Sequence, residues 1–269
     1  MPEYLRRAIR RLPGTLFALI FPDQCRVCGE PLREVSRIPV CPKCLDEPPP
    51  LTAEFFCVSC RTPFLNPFPL DSEGRCALCR LGLRQFDAAY TYGAYEGTLR
   101  KLIHLFKYSG IRTLARPLAA RLALALPRSQ SFDLIVPMPL HWFRSWRRGF
   151  NKSALLAAEL SRRTGIPVRE AVRRKRATLS QAGLSNAQRR SNVKGAFALR
   201  RGMAVQGKRI LLVDDVMTTG ATATACAQVL KEAGAASVVL LTVARVDRRW
   251  TSPAAAPGAL ANAASLGTL

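Results

Sequence analysis

Residues 209–222 read Arg-Ile-Leu-Leu-Val-Asp-Asp-Val-Met-Thr-Thr-Gly-Ala-Thr, an order that few folds accommodate. Ile210 to Val213 form an apolar run with no polar face. Such a run is a strand covered on both sides, as in the parallel sheet of an α/β domain. Asp214 and Asp215 end the run, and two adjacent carboxylates at the edge of a buried strand are expensive to desolvate. A polar loop with Thr218, Thr219, Gly220 and Thr222 follows, then a helical pattern carried by Ala225, Val229 and Leu230 with Gly234 as its stop.

Each part of this stretch has a chemical use. A loop that feeds a helix N-terminus offers unpaired N–H groups and the positive end of the helix dipole, which suit a phosphate. Gly220 permits close backbone approach, and the threonines add hydroxyl donors. Carboxylates are poor phosphate ligands but good acceptors for the vicinal hydroxyls of a ribose. No Gly-Lys-Ser/Thr follows, which excludes a Walker A loop, and the glycine spacing excludes a dinucleotide fingerprint. The segment Val213-Asp-Asp-Val-Met-Thr-Thr-Gly-Ala-Thr222 resembles the phosphoribosyl-pyrophosphate (PRPP) motif of type I phosphoribosyltransferases.

The N-terminal third is governed by cysteine. Four Cys-x-x-Cys pairs, Cys25/Cys28, Cys41/Cys44, Cys57/Cys60 and Cys76/Cys79, are separated by 12 to 15 residues. One pair places two thiolates on a tight knuckle, and two knuckles make a tetrahedral zinc site. Eight paired cysteines therefore imply two zinc ions. The intervening segments are short and carry Pro48, Pro49, Pro50, Pro63, Pro67 and Pro69, so metal binding has to supply their folding free energy. Sequential pairing (Cys25 to Cys44, then Cys57 to Cys79) gives two zinc ribbons, and a cross-braced pairing is the alternative. Cys226 reads as a small core residue.

The 269 residues carry a formal net charge of +23 and are 48% hydrophobic. That content suits a globular α/β domain with a smaller companion and excludes a disordered chain. The charge favours polyanions, whether nucleic acid, an anionic membrane or a phosphorylated ligand. No apolar run is long enough to span a membrane. Leu16 to Phe21 lacks a cleavage site of the secretory kind. Leu5, Ile9, Leu12 and Leu16, interleaved with arginines, predict a basic helix within residues 1–20 that packs on the rest of the protein, with a membrane-surface role as the alternative.

Farther along, Phe86 to Tyr95 suggests a short hairpin, followed by a helix with Leu99, Leu102, Ile103 and Phe106 on one face, another at about 113–126 and a second buried strand at Phe132–Pro139. The loop 140–151 mixes Trp142, Phe143 and Trp146 with Arg144, Arg147 and Arg148 and leads into a helix at about 152–164. Aromatics among arginines are suited to stacking bases while touching phosphates, or to packing around a ligand. From Arg144 to Arg209 there are 18 Lys or Arg against only Glu159 and Glu170. Arg173, Arg174, Lys175, Arg176 and Arg189 are the candidates there for nucleic-acid contact. Strands at Arg209–Asp215 and about 237–244 complete the domain, and the Pro/Ala/Gly/Ser-rich residues 248–269 read as a disordered tail.

Taken together, the cysteine pairs, Val136-Pro-Met-Pro-Leu140, Arg148-Gly-Phe-Asn151, the Thr178/Gln181/Leu184/Arg189/Asn192 series and the PRPP motif resemble the ComF/GntX family. The likeness spans about residues 16–245. It implies an α/β fold with a type I phosphoribosyltransferase-like parallel sheet and flanking helices (83–247), preceded by a double zinc ribbon (21–82). It also implies a cytoplasmic setting and, in several bacteria, a role in DNA uptake during competence. Under it, Asp214 and Asp215 are the candidate catalytic pair, holding the ribose hydroxyls and stabilising positive charge at the anomeric carbon. Val213 and Thr218, Thr219, Gly220, Ala221 and Thr222 belong to the PRPP motif that takes the 5′-phosphate, and Arg147, Arg148 and Gly149 take pyrophosphate. Mg²⁺ accompanies PRPP, and the basic segment 173–194 matches the loop that closes over the ligand. Two readings stand: a PRPP-binding protein that meets single-stranded DNA and the uptake machinery, or an active phosphoribosyltransferase of nucleotide metabolism or salvage with an unidentified acceptor.

Overall fold

The computed structural model describes residues 23–32, 36–82, 84–139, 150–175 and 195–246. The expected N-terminal helix and C-terminal tail lie outside them, as do Trp142, Trp146, Arg147, Arg148, Gly149, Arg176 and Arg189.

Four parallel strands form the central sheet: β3 (Ala88–Ala94), β4 (Leu134–Pro137), β7 (Arg209–Met217) and β8 (Ser237–Arg245), in the order β3-β8-β7-β4. Ile210 to Val213 are fully buried, each 0% exposed, which accounts for their unbroken apolar run. Because side chains alternate across a strand, the sheet divides its residues between two cores. Leu134, Val136, Ile210, Leu212, Val238 and Leu240 face one, against Cys226, Ala227 and Leu230 of helix α6 (Ala221–Glu232). Ile135, Leu211, Val213, Val239 and Leu241 face the other. That side is covered by helices α3 (Gly97–Tyr108), α4 (Ala115–Ala125) and α5 (Lys152–Thr164).

The two cysteine-bearing segments sit on opposite faces of this sheet. Cys25 and Cys44, the latter on the short helix α1 (Pro42–Asp46), belong to the core under α3, α4 and α5. Cys57, Cys60 and Cys76 belong to the core under α6. Here the strands β1 (Phe55–Phe56) and β2 (Pro63–Phe64) pair antiparallel around the Cys57–Cys60 turn, and helix α2 (Ala77–Arg80) presents Cys79.

One expectation is corrected. Phe86 to Tyr95 forms no hairpin; Ala88–Ala94 is a single strand running parallel to β8, with Ala88 opposite Val239 and Ala94 opposite Arg245. Gly93, within this strand, serves close packing. A Cβ there would lie 2.6 Å from Leu99 Cδ2 and 3.2 Å from the Pro49 carbonyl oxygen. The basic segment expected as a mobile loop begins as structure: β5 (Val172–Arg174) pairs antiparallel with β6 (Phe197–Leu199), a ribbon at its base.

Candidate ligand site and metal centres

The C-terminal end of β7 delivers Asp214 and Asp215 side by side, and the chain turns at Gly220 to start α6. Gly220 holds φ +77°, a left-handed conformation in which an added Cβ would meet Arg84 Nη1 at 2.8 Å and Met217 Cε at 3.0 Å. The left-handed backbone favours glycine, while the two side-chain ends would have to shift to admit a Cβ. Thr219 Oγ1 accepts a hydrogen bond from the Ala221 amide (3.3 Å), a local turn that occupies the first amide of the helix.

Asp214, Thr218, Gly220, Ala221 and Thr222 line one cavity of about 250 Å³, together with Tyr95, Lys107 and Thr242. Val213, fully buried in the core, does not line it, nor do Asp215 and Thr219. Asp214 Oδ1 accepts from Ser153 Oγ and from the Asp215 amide, each at 2.9 Å. Burial of its carboxyl, followed by the neighbouring charge of Asp215, pushes the Asp214 pKa up to about 7, against the pull of Lys107 and both hydrogen bonds. Asp215 Oδ1 lies 2.7 Å from Lys107 Nζ. Burial works against the charge on Lys107, yet the Asp215 carboxylate prevails and its pKa is raised, keeping it an ammonium. The two carboxylates thus occupy different environments: Asp214 hydrogen-bonded and prone to protonation, Asp215 paired with a cation.

Lys107 and Ser153 were not singled out from the sequence. Lys107 ends the apolar face of α3 defined by Leu99, Leu102, Ile103 and Phe106, all buried, and nothing local marks its partner on β7. Ser153 is the second residue of α5, whose N-cap is Asn151. The Asn151 side chain accepts from the Ser153 amide and donates from Nδ2 to the Met138 carbonyl, both at 3.1 Å. Met138 in turn donates its amide to the Val213 carbonyl at 2.8 Å. Asn151 therefore draws the two ends of the 140–149 segment together beside β7.

Of the candidate nucleic-acid contacts, Arg173 and Lys175 are exposed on and beside β5. Arg174 turns inward, its guanidinium 5.4 Å from the centroid of the Phe197 ring.

The eight paired cysteines gather into two groups in sequential order, Cys25/Cys28/Cys41/Cys44 and Cys57/Cys60/Cys76/Cys79, with all sulfurs of a group within 4.8 Å of one another. Cys28 and Cys41 sulfurs are 3.8 Å apart, and those of Cys60 and Cys76 are 3.7 Å apart. Zn–S bonds of about 2.3 Å set tetrahedral ligands about 3.8 Å apart, so each group could hold a zinc ion. Amides of Cys41 and Cys76 donate to the sulfurs of Cys25 and Cys57, each at 3.3 Å, an arrangement that favours thiolates. Cys226 stands apart, fully buried, with burial raising its thiol pKa.

The second group is wired into the sheet. Arg245, at the end of β8 and 2% exposed, donates to the Cys60 carbonyl (2.8 Å) and to Thr62 Oγ1 (2.6 Å), and Thr62 Oγ1 lies 2.9 Å from the Cys60 sulfur. Arg84, between this group and Gly220, lies over the Phe86 ring at 5.6 Å. Its Nε and Nη1 are buried without a hydrogen-bond partner among the described residues. No described helix is long and apolar enough to cross a membrane.

Residues 151–256 match the family model described as phosphoribosyl transferase domain. The chain is 36% identical to competence protein F of Haemophilus influenzae over 178 residues, covering 63% of this chain and 78% of that one. It is 35% identical to the DNA utilization protein YhgH of Escherichia coli K12 over 227 residues, covering 82% and 96%. Competence protein ComFC of Streptococcus pneumoniae is 26% identical over 151 residues, covering 56% and 65%. With a four-stranded parallel sheet, a phosphoribosyltransferase domain, two four-cysteine groups and a relative matched over nearly its whole length, the chain belongs to the ComF/GntX family.

Proposed function

We propose that this protein binds PRPP on a phosphoribosyltransferase fold and handles single-stranded DNA during DNA uptake, in the cytoplasm, with two zinc ions as structural metals. The observation that carries the ligand half is the cavity in which Asp214, Lys107 and the Thr218–Thr222 loop meet at the N-terminus of α6. The loop amides and hydroxyls suit a 5′-phosphate, and Asp214 and Asp215 suit the ribose diol. Magnesium takes oxygen ligands and keeps much of its water, so it would need few protein ligands here and would neutralise charge on the phosphorylated ligand. Arg147, Arg148 and Gly149 complete the proposed ligand contacts. Zinc is the ion that four thiolates at these spacings suit best.

The DNA half is supported by the names of the relatives, one a competence protein and one a DNA utilization protein, and by a net charge of +23, which exceeds what one diphosphate ligand requires. The proposed contacts are Trp142, Trp146, Arg173, Lys175, Arg176 and Arg189. Arg174 belongs to the base of the ribbon, because its side chain packs on Phe197.

Two measurements on one preparation test the whole reading. Mg²⁺ with PRPP raises the thermal midpoint of the wild type through binding to the native state, and Asp214→Ala/Asp215→Ala removes most of that shift. Single-stranded DNA binds with weak sequence preference and steep salt dependence. Arg173→Ser/Lys175→Ser flattens the salt slope, and Trp142→Ala/Trp146→Ala weakens binding while leaving the slope in place. No DNA binding by the wild type at about 100 mM salt, where backbone-driven association still persists, overturns the DNA half. An unchanged PRPP shift in the double aspartate variant overturns the ligand half.

A further inference from the structure

Lys107 comes from a helix outside the motif-bearing segments, yet it enters the same cavity as Asp214 and the Thr218–Thr222 loop. Its helix cannot easily give way. Leu99 and Phe106 are buried to 3% and 0%, and Leu102 and Ile103 to 0%, so the last turn of α3 is clamped against the sheet. The ammonium sits 2.7 Å from Asp215 Oδ1, with 19% of the Lys107 side chain exposed. Desolvating a lysine this far is unfavourable unless its charge is used. Asp215 uses part of it. An ammonium carries three donors, and Asp215 is the acceptor found for it among the described residues, which leaves donor capacity facing the cavity.

The charge of the cavity points the same way. Asp214 lines the cavity as an acid, and Lys107 is the cation that lines it while pairing with Asp215 beside it. Carboxylates alone repel a phosphorylated ligand, and the loop amides of α6 compensate at one end only. A cation next to the diol-binding acids lets one ligand present both hydroxyls and phosphoryl oxygens to the same small space.

We propose that Lys107 is a ligand-binding residue that bridges Asp215 and a phosphoryl oxygen of the bound sugar phosphate, neutralising Asp215 in the free protein and keeping that contact in the complex. The inference rests on the sugar-phosphate reading of the cavity. It adds to that reading a residue from α3, so the site is assembled from β7, α6, α5 and α3 rather than from the motif alone. Two phosphoryl groups could be the partner, the 5-phosphate and the 1-diphosphate, and both present the same oxygen chemistry.

Calorimetric titration of the full chain with Mg²⁺ and three probes (PRPP, ribose 5-phosphate and inorganic pyrophosphate) tests the bridge. Lys107→Met weakens PRPP at least about tenfold, as loss of a charge-assisted hydrogen bond predicts. It also weakens whichever smaller probe carries the contacted group, which separates the two sources. Lys107→Gln, which keeps a neutral donor for Asp215, serves if the methionine variant does not fold, and shows the same loss. Either folded variant binding PRPP as tightly as the wild type, or more tightly, overturns the bridge and leaves Lys107 as an internal counter-ion of an intact site. Wild type that ignores PRPP but binds ribose 5-phosphate in a Lys107-dependent way overturns the PRPP reading and supports the bridge. Wild type that binds none of the probes overturns both.

Discussion

Arg245 Nη1 donates to the Cys60 carbonyl at 2.8 Å, joining the end of β8 to the second cysteine knuckle. With the bond from Nη2 to Thr62 Oγ1 at 2.6 Å, this buried guanidinium acts as a bolt between sheet and knuckle. A hydrogen bond from a charged donor contributes about 1.5–3 kcal/mol, and both bonds end on buried acceptors. Arg245→Ala lowers unfolding stability by roughly 3 kcal/mol or more, read from the urea midpoint. It also releases metal from the second group before the first, read by chelator titration. An unchanged midpoint would mean that the bolt carries no load.

Metal content gives a second check. Two zinc equivalents per chain are expected, and Cys226→Ala keeps both. Cys28→Ser and Cys57→Ser each lose one, with unequal consequences. Cys28 is exposed, whereas Cys57 is 0% exposed in the core that also holds Met217 and Ala221. The Cys57 variant therefore loses more stability and reduces the PRPP-induced thermal shift, whereas the Cys28 variant keeps that shift. Elemental analysis finding one zinc in the wild type sinks the assignment.

Gly220→Ala tests the loop. A left-handed residue with a Cβ costs roughly 1–2 kcal/mol, and here the added carbon also meets Arg84 and Met217. The variant folds with a lowered melting midpoint, and its PRPP-induced shift shrinks more than that global loss explains. A full shift in a folded variant contradicts the loop's role.

The acidic pair predicts a pH dependence. Asp214 titrates near 7 in the folded protein, against about 3.9 for an unfolded aspartate. Between these values the folded form holds a proton that the unfolded form has lost. Stability contributed by Asp214 is therefore present at low pH, falls as pH rises from about 4 to about 7, and then levels off. Asp214→Asn removes this decline, so its urea midpoint gains on the wild type across that window. Ser153→Ala deletes a hydrogen bond that favours the carboxylate and extends the decline to higher pH. Parallel curves for wild type and Asp214→Asn contradict the assignment.

What the sequence discloses here depends on how local the physics is. The β7 strand, its acidic end and the Gly220 turn are legible because strand burial, loop chemistry and helix start are all written within residues 209–222. The cysteine groups are legible for the same reason, since metal geometry demands short spacings. Lys107, Ser153, Arg84 and Arg245 are not, because each acquires its meaning from a residue distant in the chain. Arg245 in particular looks like one more basic residue in a very basic protein. The hairpin expected at Phe86–Tyr95 failed because strand-like composition does not name a partner, and the partner proved to be β8.

Strand order has a consequence for how the protein is made. β8 is the last of the described strands in chain order, but it lies inside the sheet, paired with β3 on one side and β7 on the other. Until it emerges, β3 has no neighbour among the described strands, and the second knuckle lacks the arginine that fixes its carbonyl. Most of the thiols are therefore synthesised well before the surface that encloses them. Sheet closure is therefore a late event, and a chain released before Arg245 would carry a gap in its sheet and a second knuckle without its arginine.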